Sequence, residues 1–342
     1  MKNSKQKILV IRNDKLGDFM LAWPALAILR ANLPMAHLAV LVPEYTAPLA
    51  KACTYIDEVI VDPRLKGEWR NGRALSGLLK PKKFDAVITL FSRFDTGLAV
   101  WSAGIPLRYA PATKLAQVFY NHRVVQRRSH SEKPEYEYNL DLVRAFLEGR
   151  GVKKTAPVEA PYLTFKPAET RKLKQKFLKQ HKISAAKKLV FVHAGHGGSA
   201  NNLALLQYAE LVRKLAVSKQ RHFVLTAGPG EEGQAQRLAG VLDKIPHSVY
   251  LSKDGLVPFA RHLQFADLFI SGSTGPLHLA AALGIPTAAF YPRRRSSTAL
   301  RWQTVNPPNL RLAFMPPEGA AEGDMTSIDI KAAAAEIAKR FP

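Results

Sequence analysis

The sequence has little cysteine, few acidic residues and no long apolar run. A single cysteine, Cys53, stands among 342 residues, so an intramolecular disulfide framework is excluded and a reducing compartment is indicated. The basic N-terminus leads into only four apolar residues, Ile8–Ile11. That run is too short for the core of a signal peptide, and none approaches the roughly 20 residues of a membrane span. We therefore expect a cytoplasmic protein.

Acidic residues are strongly outnumbered by basic ones. The chain has 27 Asp and Glu against 50 Lys and Arg, a formal net charge of +23. This excess indicates an anionic partner: nucleic acid, the inner face of a membrane, or a phosphorylated substrate. No zinc-finger spacing and no aromatic RNA-binding motif accompanies the basic residues. Charge by itself does not choose among these partners.

Short apolar runs alternate with helical patterns along the chain. The runs have the length of strands buried in a parallel sheet, and the alternation predicts right-handed βαβ units. One helix is expected from Phe19 to about Asn32, and residues 111–135 resemble a polar loop. The proline-rich residues 155–168 are interpreted as a linker.

The predicted fold class is therefore α/β, with two Rossmann-like domains. The first is expected at residues 1–160 and the second at 161–326, with parallel sheets that face each other across a cleft. A helix at 327–342, with Ser327 as its cap, would follow, and we consider that it packs back on the first domain. Ligands of such sheets bind beyond the carboxyl ends of the strands, so the turns after the strands are the candidate sites.

Residues 267–286 contain the first of these turns. They predict a buried strand, a turn of small residues at Ser271–Gly275, and a helix closed by Gly284. Backbone N–H groups and hydroxyls at the positive end of a helix form a site for an anion such as phosphate. His278, one turn into the helix, can face the same anion. A tight turn without any ligand explains these residues equally well.

The turn after the first strand places Asp18 at the start of a helix. A carboxylate there can take a proton from a sugar hydroxyl or another hydroxyl. Aspartate also caps helices very often, and on the sequence alone we favour the cap.

Three further turns follow strands in the second half. Gly228–Gly233 matches the glycine spacing of dinucleotide-binding loops, but Glu231 and Glu232 would repel a pyrophosphate, so they suit a ribose hydroxyl better. His193 and His196 lack the companions of a metal site, and a surface loop explains them as well as ligand binding does. Arg293–Arg295 form either a phosphate site or a solvated charge run.

Taken together, these turns resemble the heptosyltransferases of glycosyltransferase family 9, which have the GT-B fold. The first turn is similar to that family's Arg-x-Ser/Asp-x-x-Gly-Asp motif followed by Pro-Ala. Its residues here are Arg12, Asp14, Gly17, Asp18, Pro24 and Ala25. The stretch from Ser273 to Pro286 resembles the family's Asp/Ser-Thr/Ser-Gly-x-x-His-Leu-Ala-Ala-Ala-Leu-Gly-x-Pro, and the turn at Gly228 also resembles the family's second-domain turn.

The resemblance implies an inverting, metal-independent glycosyltransferase. Asp18 would be the general base, and the donor would be an ADP-heptose, with no other cofactor. The residues expected at the donor are Asn201, Glu231, Ser273, Thr274, Gly275 and His278. Candidate contacts to phosphate or acceptor are Arg12, Lys15 and Arg293. The acceptor would be an anionic glycolipid of the lipopolysaccharide core or a related surface glycan, at the inner face of the cytoplasmic membrane, with no specific nucleic acid.

Two positions depart from the family pattern. Asn201 stands where the family has a lysine on the donor phosphate, and Ser273 stands where it has an aspartate that contacts the donor sugar. Either Lys15 and Arg293–Arg295 compensate, or the donor sugar is another one. A basic GT-B scaffold without catalysis, and an epimerase of the same fold, are the alternative functions.

Overall fold

The apolar runs of the sequence form buried parallel strands. The computed structural model describes residues 6–113, 115–195 and 201–342. Within these ranges the strands are β1 (Lys7–Ile11), β2 (His37–Val42), β3 (Glu58–Val61), β4 (Ala86–Thr89), β5 (Leu107–Pro111), β6 (His122–Val124), β7 (Lys188–His193), β8 (Arg221–Ala227), β9 (His247–Leu251), β10 (Leu268–Gly272), β11 (Thr287–Phe290) and β12 (Arg311–Phe314).

Helices connect the strands, as the alternation predicts. They are α1 (Leu16–Met20), α2 (Trp23–Asn32), α3 (Ala47–Ala52), α4 (Glu68–Leu79), α5 (Phe94–Ser102), α6 (Glu135–Glu148), α7 (Pro167–Gln180), α8 (Leu205–Leu215), α9 (Glu232–Val241), α10 (Leu256–Leu263), α11 (Gly275–Ala282) and α12 (Ile330–Arg340). No helix of the described ranges is long and apolar enough to cross a membrane.

The chain divides into two units between Val158 and Glu159. The sheet of the first unit has the order β3-β2-β1-β4-β5-β6, and that of the second has the order β9-β8-β7-β10-β11-β12. All neighbouring strands are parallel. Each unit therefore has the doubly wound order of a Rossmann fold, whose chain reverses direction across the sheet between its first and fourth strands. These switch points lie between β1 and β4 and between β7 and β10.

The central strands are buried because helices cover both faces of each sheet. In β1, Leu9 lies in register between Ala39 of β2 and Val87 of β4, and all three are fully buried. In the second unit, Ile270 of β10 lies in the same way between Val192 and Ala288. Continuous apolar burial of this kind is typical of parallel sheets.

The structure corrects three local expectations. The helix predicted from Phe19 to Asn32 is two helices, because Pro24 opens α2 and has no N–H to continue the preceding one. The region expected to be a loop at 111–135 contains the short strand β6, and β12 was not predicted at all.

The C-terminal helix begins later than expected. Asp329 caps α12 by accepting a hydrogen bond from the Ala332 N–H at 2.9 Å, whereas the predicted cap was Ser327. The buried face of the helix, which includes Ile330 and Ile337, belongs to the core of the second unit. The packing of this helix on the first domain stays a prediction.

Gly97 lets the 3₁₀ helix at Leu115–Phe119 pack closely on α5. A Cβ atom at Gly97 would lie 2.7 Å from Cδ2 of Phe119. We predict that Gly97→Ala lowers the free energy of unfolding by about 1–3 kcal/mol, because overpacking outweighs the gain of up to ~1 kcal/mol in helix propensity. Urea denaturation followed by circular dichroism measures the change.

Gly77 of α4 is the matched control, because a Cβ atom there would meet nothing within 4 Å. Gly77→Ala should stabilise the protein by about 0.5–1 kcal/mol. If Gly97→Ala stabilises the protein as much as Gly77→Ala does, Phe119 does not pack closely on α5 as described.

Candidate functional site

A buried arginine organises the switch point of the first unit. Arg12 follows β1 directly and is only 2% exposed. Its Nε donates to Asp14 Oδ1 at 3.0 Å and its Nη2 to Asp18 Oδ1 at 2.6 Å. Its Nη1 donates to Glu135 Oε1 and to Asn139 Oδ1, both at 3.0 Å. Burial works to lower the pKa of Arg12, but the three carboxylates together raise it above its ordinary value, so the guanidinium remains charged.

Asp18 is not a helix cap. It is the third residue of α1, and Lys15 occupies the cap position without a side-chain hydrogen bond, so the capping interpretation that we favoured is wrong. Its Oδ1 is held by Arg12, and its side chain is 13% exposed. Among the described residues, no hydrogen bond is made by Oδ2. One oxygen is thus fixed by a cation, and the other can accept a proton.

A second carboxylate lies on the same arginine. Burial, followed by the negative charge of Asp18, raises the pKa of Asp14 to about 6, although Arg12 opposes the shift. Asp14 was part of the sequence motif, but nothing in the sequence indicated that its carboxyl would be harder to ionise than an ordinary one.

The three expected cationic contacts have different surroundings. Arg12 donates four hydrogen bonds to side chains of the protein, so most of its N–H groups are already engaged. One of these bonds holds Asp18, and the contact of Arg12 to a substrate phosphate stays a prediction. Lys15 is exposed. Arg293, in the second unit, is half-buried and its Nε donates to the carbonyl of Pro316 at 2.8 Å.

The switch point of the second unit contains the anion turn predicted from the sequence. The strand β10 ends at Gly272 and α11 begins at Gly275. The hydroxyls of Ser271 and Thr274 are buried and 3.0 Å apart, and Ser273 between them is half-buried. The first backbone N–H groups of a helix have no partner within it, so this turn offers donors to a bound anion.

His278 is buried beneath this turn. Its Nδ1 has no hydrogen-bond partner in the structure as described, and burial lowers the pKa of the ring to about 4. The imidazole is therefore neutral at neutral pH. It can offer one N–H donor to an anion, but no positive charge.

Glu231 lies at the neighbouring strand end and is held by a histidine. Its Oε2 accepts from the Gly228 N–H at 3.1 Å and lies 3.4 Å from Nε2 of His193. Nδ1 of His193 lies 3.1 Å from the hydroxyl of Thr226. Gly195 makes room for the carboxylate, because a Cβ atom there would lie 2.3 Å from Cδ of Glu231.

His193 is therefore a structural partner of Glu231 at the end of β7. The surface-loop interpretation is wrong for this residue, which is buried. Burial lowers its pKa, and the nearby Glu231 opposes that effect. His196 lies outside the described residues.

Asn202 joins the turns after β7 and β10, and the sequence analysis missed it. Its Nδ2 donates to the Ala194 carbonyl at 3.0 Å, and its Oδ1 accepts from the hydroxyl of Tyr208 at 2.7 Å. A Cβ atom at Gly272 would lie 2.3 Å from that Oδ1. A glycine inside a strand often marks such a close approach, and this signal was available. Asn201 turns elsewhere and donates to the Gly323 carbonyl at 2.9 Å.

Within the part of the chain that the structure describes, no group of three or more His, Cys, Asp or Glu side chains is arranged to hold a metal ion. The polar groups collected here are instead donors for an anion, a buried cation and carboxylates that can accept protons.

The raised pKa of Asp14 predicts a pH-dependent stability. The folded-state pKa of about 6 exceeds the ordinary value of 3.8, so between these values the folded protein binds more protons than the unfolded chain. The contribution of Asp14 to the free energy of unfolding therefore falls as the pH rises through this window. We predict that Asp14→Asn removes a fall on the order of 1–3 kcal/mol. Denaturation from about pH 4 to about pH 7 measures it.

The exposed Asp243 provides the control for this titration. Asp243→Asn should leave the pH dependence of stability as it is in the wild type. If the free energy of unfolding changes with pH in the same way in the wild type and in Asp14→Asn, the environment described for Asp14 is wrong.

Known proteins resemble this chain in sequence and in fold. The model of glycosyltransferase family 9 (heptosyltransferase) matches residues 73–308. A candidate glycosyltransferase of Haemophilus influenzae is 47% identical over 97% of this chain and 96% of its own length. The structure of Escherichia coli ADP-heptose lipopolysaccharide heptosyltransferase II has a TM-score of 0.78, at 19% identity over 98% of both chains.

An Escherichia coli heptosyltransferase solved with ADP has a TM-score of 0.74, at 19% identity over 98% of this chain and 100% of that one. These two likenesses confirm the predicted GT-B fold class. The family match covers more than half of the chain, and the Haemophilus influenzae relative covers nearly all of it. The protein belongs to glycosyltransferase family 9.

Proposed function

We propose that this protein is an inverting glycosyltransferase that moves a heptose, or a related sugar, from an ADP-sugar to a glycolipid acceptor. The acceptor is the lipopolysaccharide core or a related surface glycan. The observation that carries the proposal is the carboxylate of Asp18, with one oxygen on Arg12 at 2.6 Å and the other without a described partner. The names of the Escherichia coli neighbours, which include ADP and ADP-heptose, support the choice of donor.

Asp18 acts as the general base in this proposal. Its Oδ2 takes the proton of an acceptor hydroxyl, and the hydroxyl oxygen attacks the anomeric carbon of the donor sugar. The bond from that carbon to the diphosphate breaks, its electron pair leaves with ADP, and the configuration inverts. Arg12 orients the carboxylate by donating to its other oxygen at 2.6 Å.

The turn Ser271–Gly275 receives the departing diphosphate. Its hydroxyls and the N-terminus of α11 offer hydrogen bonds to negative charge, and the neutral His278 can add one donor. We propose that no metal takes part, as the family resemblance implies. Asn201 supplies no positive charge, so Lys15 and Arg293–Arg295 are the candidate cations.

Glu231 binds the ribose hydroxyls of the donor. A carboxylate fixed by Gly228 and His193 presents acceptors in a defined direction, which suits the two hydroxyls of a ribose. The contact supports a nucleotide donor but does not select the sugar. Ser273 stands where the family aspartate contacts that sugar, and this favours a second candidate, a transferase for another nucleotide sugar.

We also propose that the enzyme is cytoplasmic and associates peripherally with the inner membrane. The net charge of +23 favours an anionic surface, where juxtamembrane basic residues each contribute on the order of 1 kcal/mol.

A panel of nucleotide sugars tests the donor. The true donor should raise the melting temperature most, and stabilisation by none of the panel would contradict the proposed function.

Asp18→Asn tests the general base. The amide keeps the shape but cannot take the proton, so we predict a fall in kcat of about 10²–10⁴-fold with an unchanged fold. The donor should still raise the melting temperature of the variant as in the wild type. Full transfer activity in Asp18→Asn would rule out this role.

His193→Ala tests the positioning of Glu231. Without the ring, the carboxylate loses the neighbour that lies 3.4 Å from its Oε2, so we predict a several-fold loss of discrimination between ADP and 2′-deoxy-ADP in calorimetry. Turnover at saturating donor should change little, because His193 does not touch the reacting atoms.

His222→Ala is the matched control, because His222 is a buried histidine of β8 that pairs with Ser248 at 3.1 Å. It lies at the amino end of the strand, away from Glu231. Its loss should therefore leave the ratio of the affinities for ADP and 2′-deoxy-ADP unchanged. Equal ratios in the wild type and His193→Ala would show that the histidine does not position the carboxylate.

A further inference from the structure

Among the strongly exposed apolar side chains of the first unit, four lie on three helical segments that contact one another. Trp69 is 63% exposed, Trp101 55%, Leu115 85% and Val118 71%. They belong to α4, α5 and the 3₁₀ helix Leu115–Phe119. We refer to these four side chains as the apolar strip. Contiguous exposed apolar surface marks an interaction site more often than scattered single residues do.

The apolar strip rests on a continuous row of aromatic rings. Trp69 meets Phe94 with ring centroids 5.1 Å apart, and Phe94 meets Phe119 at 5.4 Å. Trp101 meets the far side of Phe119 at 6.1 Å. Edge-on and tilted contacts of this kind are favourable and fix the rings in place. These contacts hold the two tryptophans of the strip in place on the fold.

Two glycines allow the three helices to lie close enough for this row. A Cβ atom at Gly72 of α4 would lie 2.9 Å from Cδ2 of Leu98 on α5, and one at Gly97 would lie 2.7 Å from Phe119. The space between the helices is thus filled already.

Basic residues flank the apolar strip. Residues 64–73 include Arg64, Lys66, Arg70 and Arg73, against one acidic residue, Glu68. All five side chains are exposed. Tryptophan is enriched where a membrane meets water, and basic residues are attracted to anionic headgroups. The combination matches the chemistry of an anionic bilayer surface.

The same segment touches the loop that carries the proposed base. Nη2 of Arg64 donates to the carbonyls of Asn13 and Asp14, at 2.5 and 3.0 Å. Nδ2 of Asn13 in turn donates to Asp62, at the end of β3, at 2.6 Å. A surface that docks through residues 64–73 is therefore joined by hydrogen bonds to the turn of Asp18.

We propose that the apolar strip and its flanking basic residues dock on an anionic phospholipid bilayer. The indoles and aliphatic side chains enter the interfacial layer, and Arg70 and Arg73 contact phosphate headgroups. A single sugar would not cover two tryptophans linked through two phenylalanine rings, and aliphatic side chains such as Leu115 do not stack on sugars. The proposal rests on the proposed function only for its purpose, which is to bring a lipid-anchored acceptor to Asp18.

Vesicle binding of the full chain tests this surface. The wild type should sediment with vesicles of phosphatidylethanolamine and phosphatidylglycerol, and weakly with vesicles of phosphatidylcholine alone. Trp69→Ser combined with Trp101→Ser should weaken binding at least tenfold, since each buried aromatic side chain contributes roughly that factor. Arg70→Gln combined with Arg73→Gln should weaken binding to the anionic vesicles by on the order of tenfold or more.

Matched controls distinguish binding through this surface from nonspecific hydrophobic adsorption and from attraction by the overall charge. Val217→Ser changes an apolar side chain of the second unit that is 79% exposed, and it should leave binding unchanged. Arg171→Gln combined with Lys172→Gln removes the same charge from exposed positions on α7, and it should have a much smaller effect than the Arg70 and Arg73 pair.

Several results would overturn the proposal. One is no vesicle binding by the wild type, and another is equal binding by the tryptophan variant. An equal loss in the α7 variant would assign binding to overall charge. If the tryptophan variant instead abolishes a dimer seen by analytical ultracentrifugation, a second copy covers the strip. Vesicle binding needs no nucleotide-sugar donor. If no nucleotide sugar of the panel stabilises the protein but vesicle binding is retained, the proposed function is wrong and the docking surface is not affected.

Discussion

The first unit depends on one buried cation. Arg12 is taken out of water at the end of β1, and such a charge is tolerated only when partners surround it. Asp14 and Asp18 come from its own turn, whereas Glu135 and Asn139 come from α6. The pairing therefore fixes α6 against the end of the sheet, and Asn139 extends it by donating to the Leu21 carbonyl. The position of the proposed base follows from the need to neutralise Arg12.

The strand ends around the switch point of the second unit combine neutral side chains with one carboxylate, Glu231. His278 is buried without charge, His193 supports Glu231, and Asn202 joins two turns through its amide. Two close approaches at glycine, Gly195 and Gly272, make these contacts possible. Oriented hydrogen-bond donors such as these can receive an anion, while in the first unit a buried guanidinium holds carboxylates. The same strand order thus carries two different electrostatic environments.

The strands and most helices could be predicted because the signals are local. Apolar runs, glycine and proline positions, and the motif around Gly17 and Asp18 all lie within a few residues of the elements they specify. Boundaries were less certain, as the break before Pro24 and the cap at Asp329 show, since several neighbouring residues can serve each purpose. The strand β12 escaped prediction because its four residues carry too short a pattern.

By itself, the sequence determined the alternation of strands and helices, the turns that lie at strand ends, and membership of a family through motifs in a fixed order. Only the tertiary structure decided what the side chains of those turns touch. Arg12 supports Asp18 and also meets Glu135, which lies 123 residues away along the chain. No local sequence pattern shows such a contact. The contacts of His193 with Glu231 and of Trp69 with Phe94 also join residues that are distant in sequence. Periodicity reports which face is buried, but the partner across a long separation is set by how the strands and helices pack.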